Sequence, residues 1–117
     1  MIGRLQPGSL FSEATFFNSV LSVSGQVAID HRSEQIERQT KEVLERIERL
    51  LEEGNSARDL LLSASVFLTS RELIEGFNTV WAEWLPSNAA PARTTIVCEL
   101  LAPDFLVEVS VVAAIRS

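Results

Sequence analysis

The stretch Pro91-Ala-Arg-Thr-Thr-Ile-Val-Cys-Glu-Leu-Leu-Ala-Pro-Asp-Phe-Leu-Val-Glu-Val-Ser-Val-Val-Ala-Ala-Ile115 decides the fold. Two runs rich in Val, Ile and Thr, Thr94–Leu101 and Leu106–Ile115, flank Ala102-Pro103-Asp104. Branched side chains pack well on a pleated surface and Pro-Asp breaks it, so the stretch predicts two strands with a hinge between them. In the second strand Val107, Val109, Val111 and Ala113 point one way, while Val112 and Ala114 on the alternate set are also apolar. Such a strand belongs to a sheet whose two faces are both covered.

Working back from this stretch, residues 86–92 read as a loop. Ser70 caps a helix over Arg71–Leu85 with Leu73, Ile74, Phe77, Trp81 and Trp84 on its inner side, and Pro86 ends it. Leu60–Leu68 is apolar on both sides and too short for a good helix, which predicts a buried strand. Residues 33–53 carry the clearest pattern. Ile36, Thr40, Val43, Leu44, Ile47, Leu50 and Leu51 draw one apolar stripe at helical spacing. Glu34/Arg38, Glu37/Lys41, Glu42/Arg46 and Glu45/Arg49 lay a charged, solvated face opposite it, each pair contributing about 0.2–0.5 kcal/mol. Ser33 is the expected N-cap, Gly54-Asn55 the stop, and Ser56–Asp59 a short capping turn. Residues 1–32 read as strands and turns, including Glu13–Phe17 and Val20–Val27 joined at Asn18-Ser19. Gly25 inside the second of these suggests a bulge or a close approach by another group.

The order is three strands, helix, strand, helix, strand, strand. Two helices cover one face of such a sheet, and no third layer is left for the other. A second copy of the chain is therefore the expected cover, and the chain an obligate oligomer.

The chain has 117 residues, 46% hydrophobic and 22% charged, the balance of one globular domain over residues 1–117. Its net charge of −6 repels a phosphate backbone, so no nucleic-acid partner is expected. No apolar run approaches the roughly 20 residues of a membrane span, and Met1–Leu10 does not read as a secretory signal. Cys98, the single cysteine, excludes an intrachain disulfide and favours a reducing cytoplasm. One histidine and no cysteine cluster speak against a metal site.

Two charges stand where the pattern asks for apolar residues: Arg93, opening a strand after Pro91, and Glu108, between Val107 and Val109. A charge in such a place costs free energy unless it is paired, hydrogen-bonded or used. Three readings are open: an Arg93–Glu108 ion pair, a Glu108 that faces water, or a small anion site. In the last, the planar Arg93 fork grips a carboxylate and Glu108 handles a proton or a water. The other reactive types read as structural: His31 as a solvated loop residue, Cys98 as mid-strand packing, Trp81 and Trp84 as core or interface anchors.

Ser24-Gly25-Gln26-Val27, Phe77-Asn78, and Pro91-Ala92-Arg93-Thr94-Thr95 followed by Val107-Glu108-Val109 resemble the YjgF/Rid family, also known as endoribonuclease L-PSP. The likeness runs from about Leu10 to Ile115. It implies a chorismate-mutase-like α/β (α+β) fold, a mixed sheet with two helices on one face, assembled as a homotrimer with ligand clefts between subunits. The implied activity is hydrolysis of reactive enamine and imine intermediates, such as 2-aminoacrylate, to 2-keto acids and ammonia, with no metal or organic cofactor. By position, the resemblance makes Arg93 the holder of the substrate carboxylate and Glu108 the acid that positions or activates water. Ser24 and Gly25 line the cleft, Asn78 lies near it, and Thr95 falls where some members carry a cysteine. Phe11 falls where the imine deaminases carry a tyrosine, so one hydroxyl is missing. The same pocket also suits a non-catalytic binder of small carboxylates.

Overall fold

The computed structural model describes all residues, 1–117. Six strands form one sheet: β1 (Gly3–Pro7), β2 (Ser12–Phe17), β3 (Val20–Gln26), β4 (Leu61–Leu68), β5 (Ala92–Val97) and β6 (Val107–Ala114). Helix α1 (Ile36–Glu53) follows β3 and α2 (Ile74–Trp84) follows β4. The strand order is β1-β2-β3-β6-β4-β5, antiparallel except for the β4–β5 pair at one edge. The β4–α2–β5 crossover makes that pair parallel, as a connection through a helix must.

All seven residues of the expected α1 stripe are buried, and the six apolar ones pack with Val107, Val109, Val111 and Ala113 of β6 in one core. Each fully buried Leu or Ile there contributes about 1.5–3 kcal/mol. Phe77 and Trp81 of α2 join the same core. The β2–β3 turn falls at Asn18-Ser19, whose φ values of 50° and 68° suit the left-handed pair that a tight hairpin needs. Between Val23 and Gln26 the register against β6 shifts by one residue, the bulge that Gly25 suggested.

Several boundaries differ from the expectation, each for a tertiary reason. β5 stops at Val97 rather than Leu101 because its only neighbour, β4, ends at Leu68, the register partner of Val97. Cys98 therefore lies just past the strand, its N–H donating to Leu68. Ser33 does not cap α1. It adopts φ 66°, its N–H donates to the Asp104 carbonyl, and the helix begins after Gln35. Ser56 caps no turn either: it is buried, and its hydroxyl donates to the Ala114 carbonyl at 2.6 Å. Ser70 does cap as expected, accepting the Glu72 N–H. The sheet face away from the helices carries Phe17, Phe67 and Ile96 beside polar side chains. Val112 and Ala114 are there with Val20, but so are Ser22, Ser65 and Ser110.

Candidate functional site

Arg93 is placed by the β4–β5 register. It pairs with Ala64 and Thr95 pairs with Val66, so both lie on the helix-bearing face. There the Arg93 guanidinium carbon stands 5.3 Å from the Phe77 ring centroid and 5.7 Å from that of Trp81. The two rings are stacked at 5.7 Å and 24° to each other. A guanidinium over such faces is attracted by the ring quadrupoles. Arg93 Nε donates to Thr95 Oγ1 at 3.0 Å. Partial burial lowers the Arg93 pKa, yet a guanidinium stays cationic at neutral pH. From the sequence, Trp81 is a core or interface anchor and Phe77 lies on the inner side of the helix, without a link from either ring to Arg93. The signal that could have revealed it is the one-turn spacing of Phe77 and Trp81 on a helix leading into the strand that begins near Arg93.

Glu108 is placed by β6. It pairs with Phe67, which in turn pairs with Ile96, and all three lie on the face away from the helices. Its carboxylate rests against the backbone of Gly25, so closely that a Cβ at position 25 would overlap it. That close approach is what glycine in the bulge permits, and no unusual φ is involved. Ser24 and Gln26 flank the bulge and are tied to β2: Gln26 Nε2 donates to Glu13 Oε1 at 3.0 Å and the Ser24 hydroxyl donates to the same oxygen at 3.4 Å. Gln26 is buried on the core side opposite Val109, a polar residue kept there by this bond.

Arg93 and Glu108 therefore occupy opposite faces of the sheet, with β4 between their strands. Neither takes part in any of the five ion pairs of the chain, so the intramolecular Arg93–Glu108 pair does not exist. The structure gathers Arg93, Thr95, Phe77 and Trp81 in one group and sets Glu108 against Gly25 in another, while Ser24, beside Gly25 in the chain, bonds to Glu13. Asn78 is exposed on α2 immediately after Phe77, and Phe11 is 64% exposed in the β1–β2 connection. The groove of about 650 Å³ between α1 and α2, with Lys41, Glu48, Val80 and Trp84 in its walls, contains neither Arg93 nor Glu108.

The segment that follows the bulge is pinned by a buried charge. Glu42 is 3% exposed and accepts the Asp30 and His31 backbone N–H groups, His31 Nδ1 and Arg46 Nε. Burial pushes its carboxyl pKa up, but the hydrogen bonds from Asp30, His31 and Arg46 outweigh this and hold it at about 2. Arg38 Nη2 lies 2.7 Å from His31 Nε2 and can only donate, so His31 carries its proton on Nδ1 and gives it to Glu42. His31 is thus a networked residue and not the solvated one expected. Of the four expected helix-face pairs, only Glu42–Arg46 closes to within 4 Å, and its acid is buried rather than solvated. No three His, Cys, Asp or Glu side chains gather where they could hold a metal ion. No helix is long and apolar enough to cross a membrane.

Comparison with known proteins adds the family. The family model described as endoribonuclease L-PSP matches residues 1–115. A RutC family protein of Haemophilus ducreyi is 34% identical over 116 residues, covering 99% of this chain and 98% of the relative. The crystal structure of an uncharacterized protein from Pseudomonas aeruginosa superimposes with a TM-score of 0.95 at 37% identity, over 99% of this chain and 100% of that one. A member of the YjgF protein family from Neisseria meningitidis gives 0.96 at 29% identity, over 100% and 97%. With residues 1–115 matched by the family model and the fold shared over nearly the full length, this chain belongs to the YjgF/Rid family, the family of endoribonuclease L-PSP.

Proposed function

We propose that the chain hydrolyses reactive 2-imino and enamine carboxylates to 2-keto acids and ammonia, at sites built between copies of itself in a homotrimer. The observation that carries this reading is Arg93: a cation backed by two rings, with no carboxylate of its own chain to neutralise it. Glu108, on the other face, supplies the complementary group once a second subunit brings its sheet alongside.

In this scheme Arg93 takes the substrate carboxylate by charge-assisted hydrogen bonds, each contributing about 1.5–3 kcal/mol. Holding the carboxylate fixes the adjacent C=N carbon in the cleft, which is chiefly a proximity effect. Glu108 accepts a proton from water as the oxygen attacks that carbon. Glu108 passes that proton to the nitrogen, giving a carbinolamine. It then takes the hydroxyl proton as C=O forms and hands it to the nitrogen as the C–N bond breaks. Ammonia thus leaves with both protons of the water, and Glu108 returns to the carboxylate. An enamine such as 2-aminoacrylate enters as its imine tautomer. No metal or organic cofactor takes part. The single cysteine suits a reducing compartment, and we place the protein in the cytoplasm.

The test generates the imine with an amino-acid dehydratase or oxidase and traps what survives with semicarbazide. Wild type lowers the trapped fraction and Arg93→Ala does not. Turnover retained in Arg93→Ala overturns the assignment.

Phe11 favours a second reading. It offers no hydroxyl where the imine deaminases carry tyrosine, and it is exposed. A trimeric binder or sensor of 2-keto acids needs the Arg93 grip but no proton transfer. Saturable binding of pyruvate without loss of trapped imine selects it. RNA cleavage gains nothing from this chain: the charge is −6, and its one imidazole is already bonded to Glu42 and Arg38.

A further inference from the structure

We infer that Thr95 is a positioning residue which, with the ring pair Phe77 and Trp81, fixes the Arg93 fork so that only its Nη1/Nη2 edge meets the ligand. The inference rests on the proposed role of Arg93 as carboxylate holder and goes beyond it, because Thr95 then acts through the guanidinium and not on the ligand.

A guanidinium has five N–H donors in a plane and can take a carboxylate bidentately by two edges. The lateral edge uses Nε–H with one Nη–H. The terminal edge uses one N–H from each Nη. In this chain Nε–H is spent on Thr95 Oγ1 at 3.0 Å, which closes the lateral edge. The Phe77 and Trp81 rings, themselves 5.7 Å apart, lie together on one side of the guanidinium group, at 5.3 and 5.7 Å from its carbon. Both rings are buried in the core, so this floor does not swing aside. What is left is the terminal edge, held in one orientation before the ligand arrives. Preorganisation of this kind lowers the ordering cost of binding.

The sequence explains why Thr95, and not Thr94, does this. Side chains two apart on a strand share a face, so Arg93 and Thr95 point together while Thr94 points to the other side with Ser65. Threonine is also stiff at its first side-chain torsion, so its hydroxyl is a defined acceptor. A cysteine at this position would accept only weakly.

The experiment compares wild type with Thr95→Val, which keeps the shape and removes the acceptor, and with Thr95→Ser, which restores it. Two properties are read. The first is the Arg93 Nε–H resonance in proton–nitrogen correlation spectra of the ligand-free protein. The second is the pyruvate Kd, with KM and kcat for imine hydrolysis beside it. In Thr95→Val the resonance shifts and exchanges faster, Kd and KM rise about tenfold, and kcat stays within about twofold. Thr95→Ser returns all of these towards wild type. An unmoved resonance or an unchanged Kd in Thr95→Val overturns the inference. If wild type binds no pyruvate, the carboxylate reading falls and the positioning role with it. The resonance then still reports the Thr95 bond, which tells that failure apart from a missing bond.

Discussion

At the edge of the sheet Arg93 is held by side chains: two rings beneath it and a hydroxyl on its Nε. Towards the middle of the sheet, and on the other face, Glu108 is held against backbone: a glycine in a bulge, braced by Glu13 and by the segment that Glu42 pins. The first arrangement makes a strong, orientated cation. The second gives a carboxylate a place beside a strand with no cation to neutralise it. A guanidinium needs planar contacts and a fixed fork to grip a ligand. A carboxylate that is to accept and return a proton must avoid a permanent cationic partner, which would hold it ionised. Keeping the two on opposite faces prevents them from pairing within one subunit.

The largest expected effect tests that separation directly. Arg93→Ala and Glu108→Gln are each inactive as pure proteins. Unfolded and refolded together in equal amounts, they regain about a quarter of wild-type activity, because about one interface in four joins an intact Arg93 to an intact Glu108 from another copy. Recovery of nothing from well-folded mixed oligomers would mean that the site is not shared between subunits.

Gly25→Ala comes next and strikes only the backbone-built half. The added methyl displaces the Glu108 carboxylate without straining the backbone, since Gly25 has no positive φ. We expect kcat to fall about 100-fold, some 2.7 kcal/mol, while the pyruvate Kd stays within about twofold. A Kd that moves together with kcat would show that the halves are not independent.

Glu42→Gln loosens the support behind the bulge. The folded Glu42 pKa of about 2 lies below its ordinary value of 4.5. Its contribution is therefore fully present above pH 4.5 and is lost as the pH falls towards 2. The linkage limit is about 3 kcal/mol, and we expect a loss of about 2 kcal/mol near neutral pH. Denaturant melts of the two proteins should converge by about pH 2. An equal gap at pH 7 and pH 2 would assign the effect to packing alone. Phe11→Tyr is the smallest step. It restores one hydroxyl on an exposed ring and should raise imine turnover a few-fold, about 1 kcal/mol in the barrier, with no shift in Tm.

Much of this fold is legible in local patterns. The α1 stripe needs only a 3.6-residue period, and every residue it selected is buried. The Asn18-Ser19 turn needs only residues that tolerate positive φ. Gly25 stood out because glycine within a strand run has few other uses. Glu42 was not legible: its position on the helix matches that of exposed acids, and its burial depends on a loop folding over it from 12 residues away. The end of β5 was hidden for a similar reason, since Ile-Val-Cys-Glu-Leu-Leu suits a strand until its neighbour runs out.

By itself the sequence determined which residues are apolar, which way they alternate along each strand, and which two charges break the pattern. Those properties follow from side-chain chemistry and the repeat of a single element. It also carried the likeness by which the family was recognised. The tertiary structure alone decided that Arg93 faces the helices while Glu108 faces away. Alternation fixes the two sides of a strand only relative to each other. Which side meets the core is set by hydrogen-bond register between strands far apart in the chain. Here the parallel β4–β5 register puts Arg93 beside Ala64, and the antiparallel β4–β6 register puts Glu108 beside Phe67. A one-residue slip in either would have brought both charges to one face.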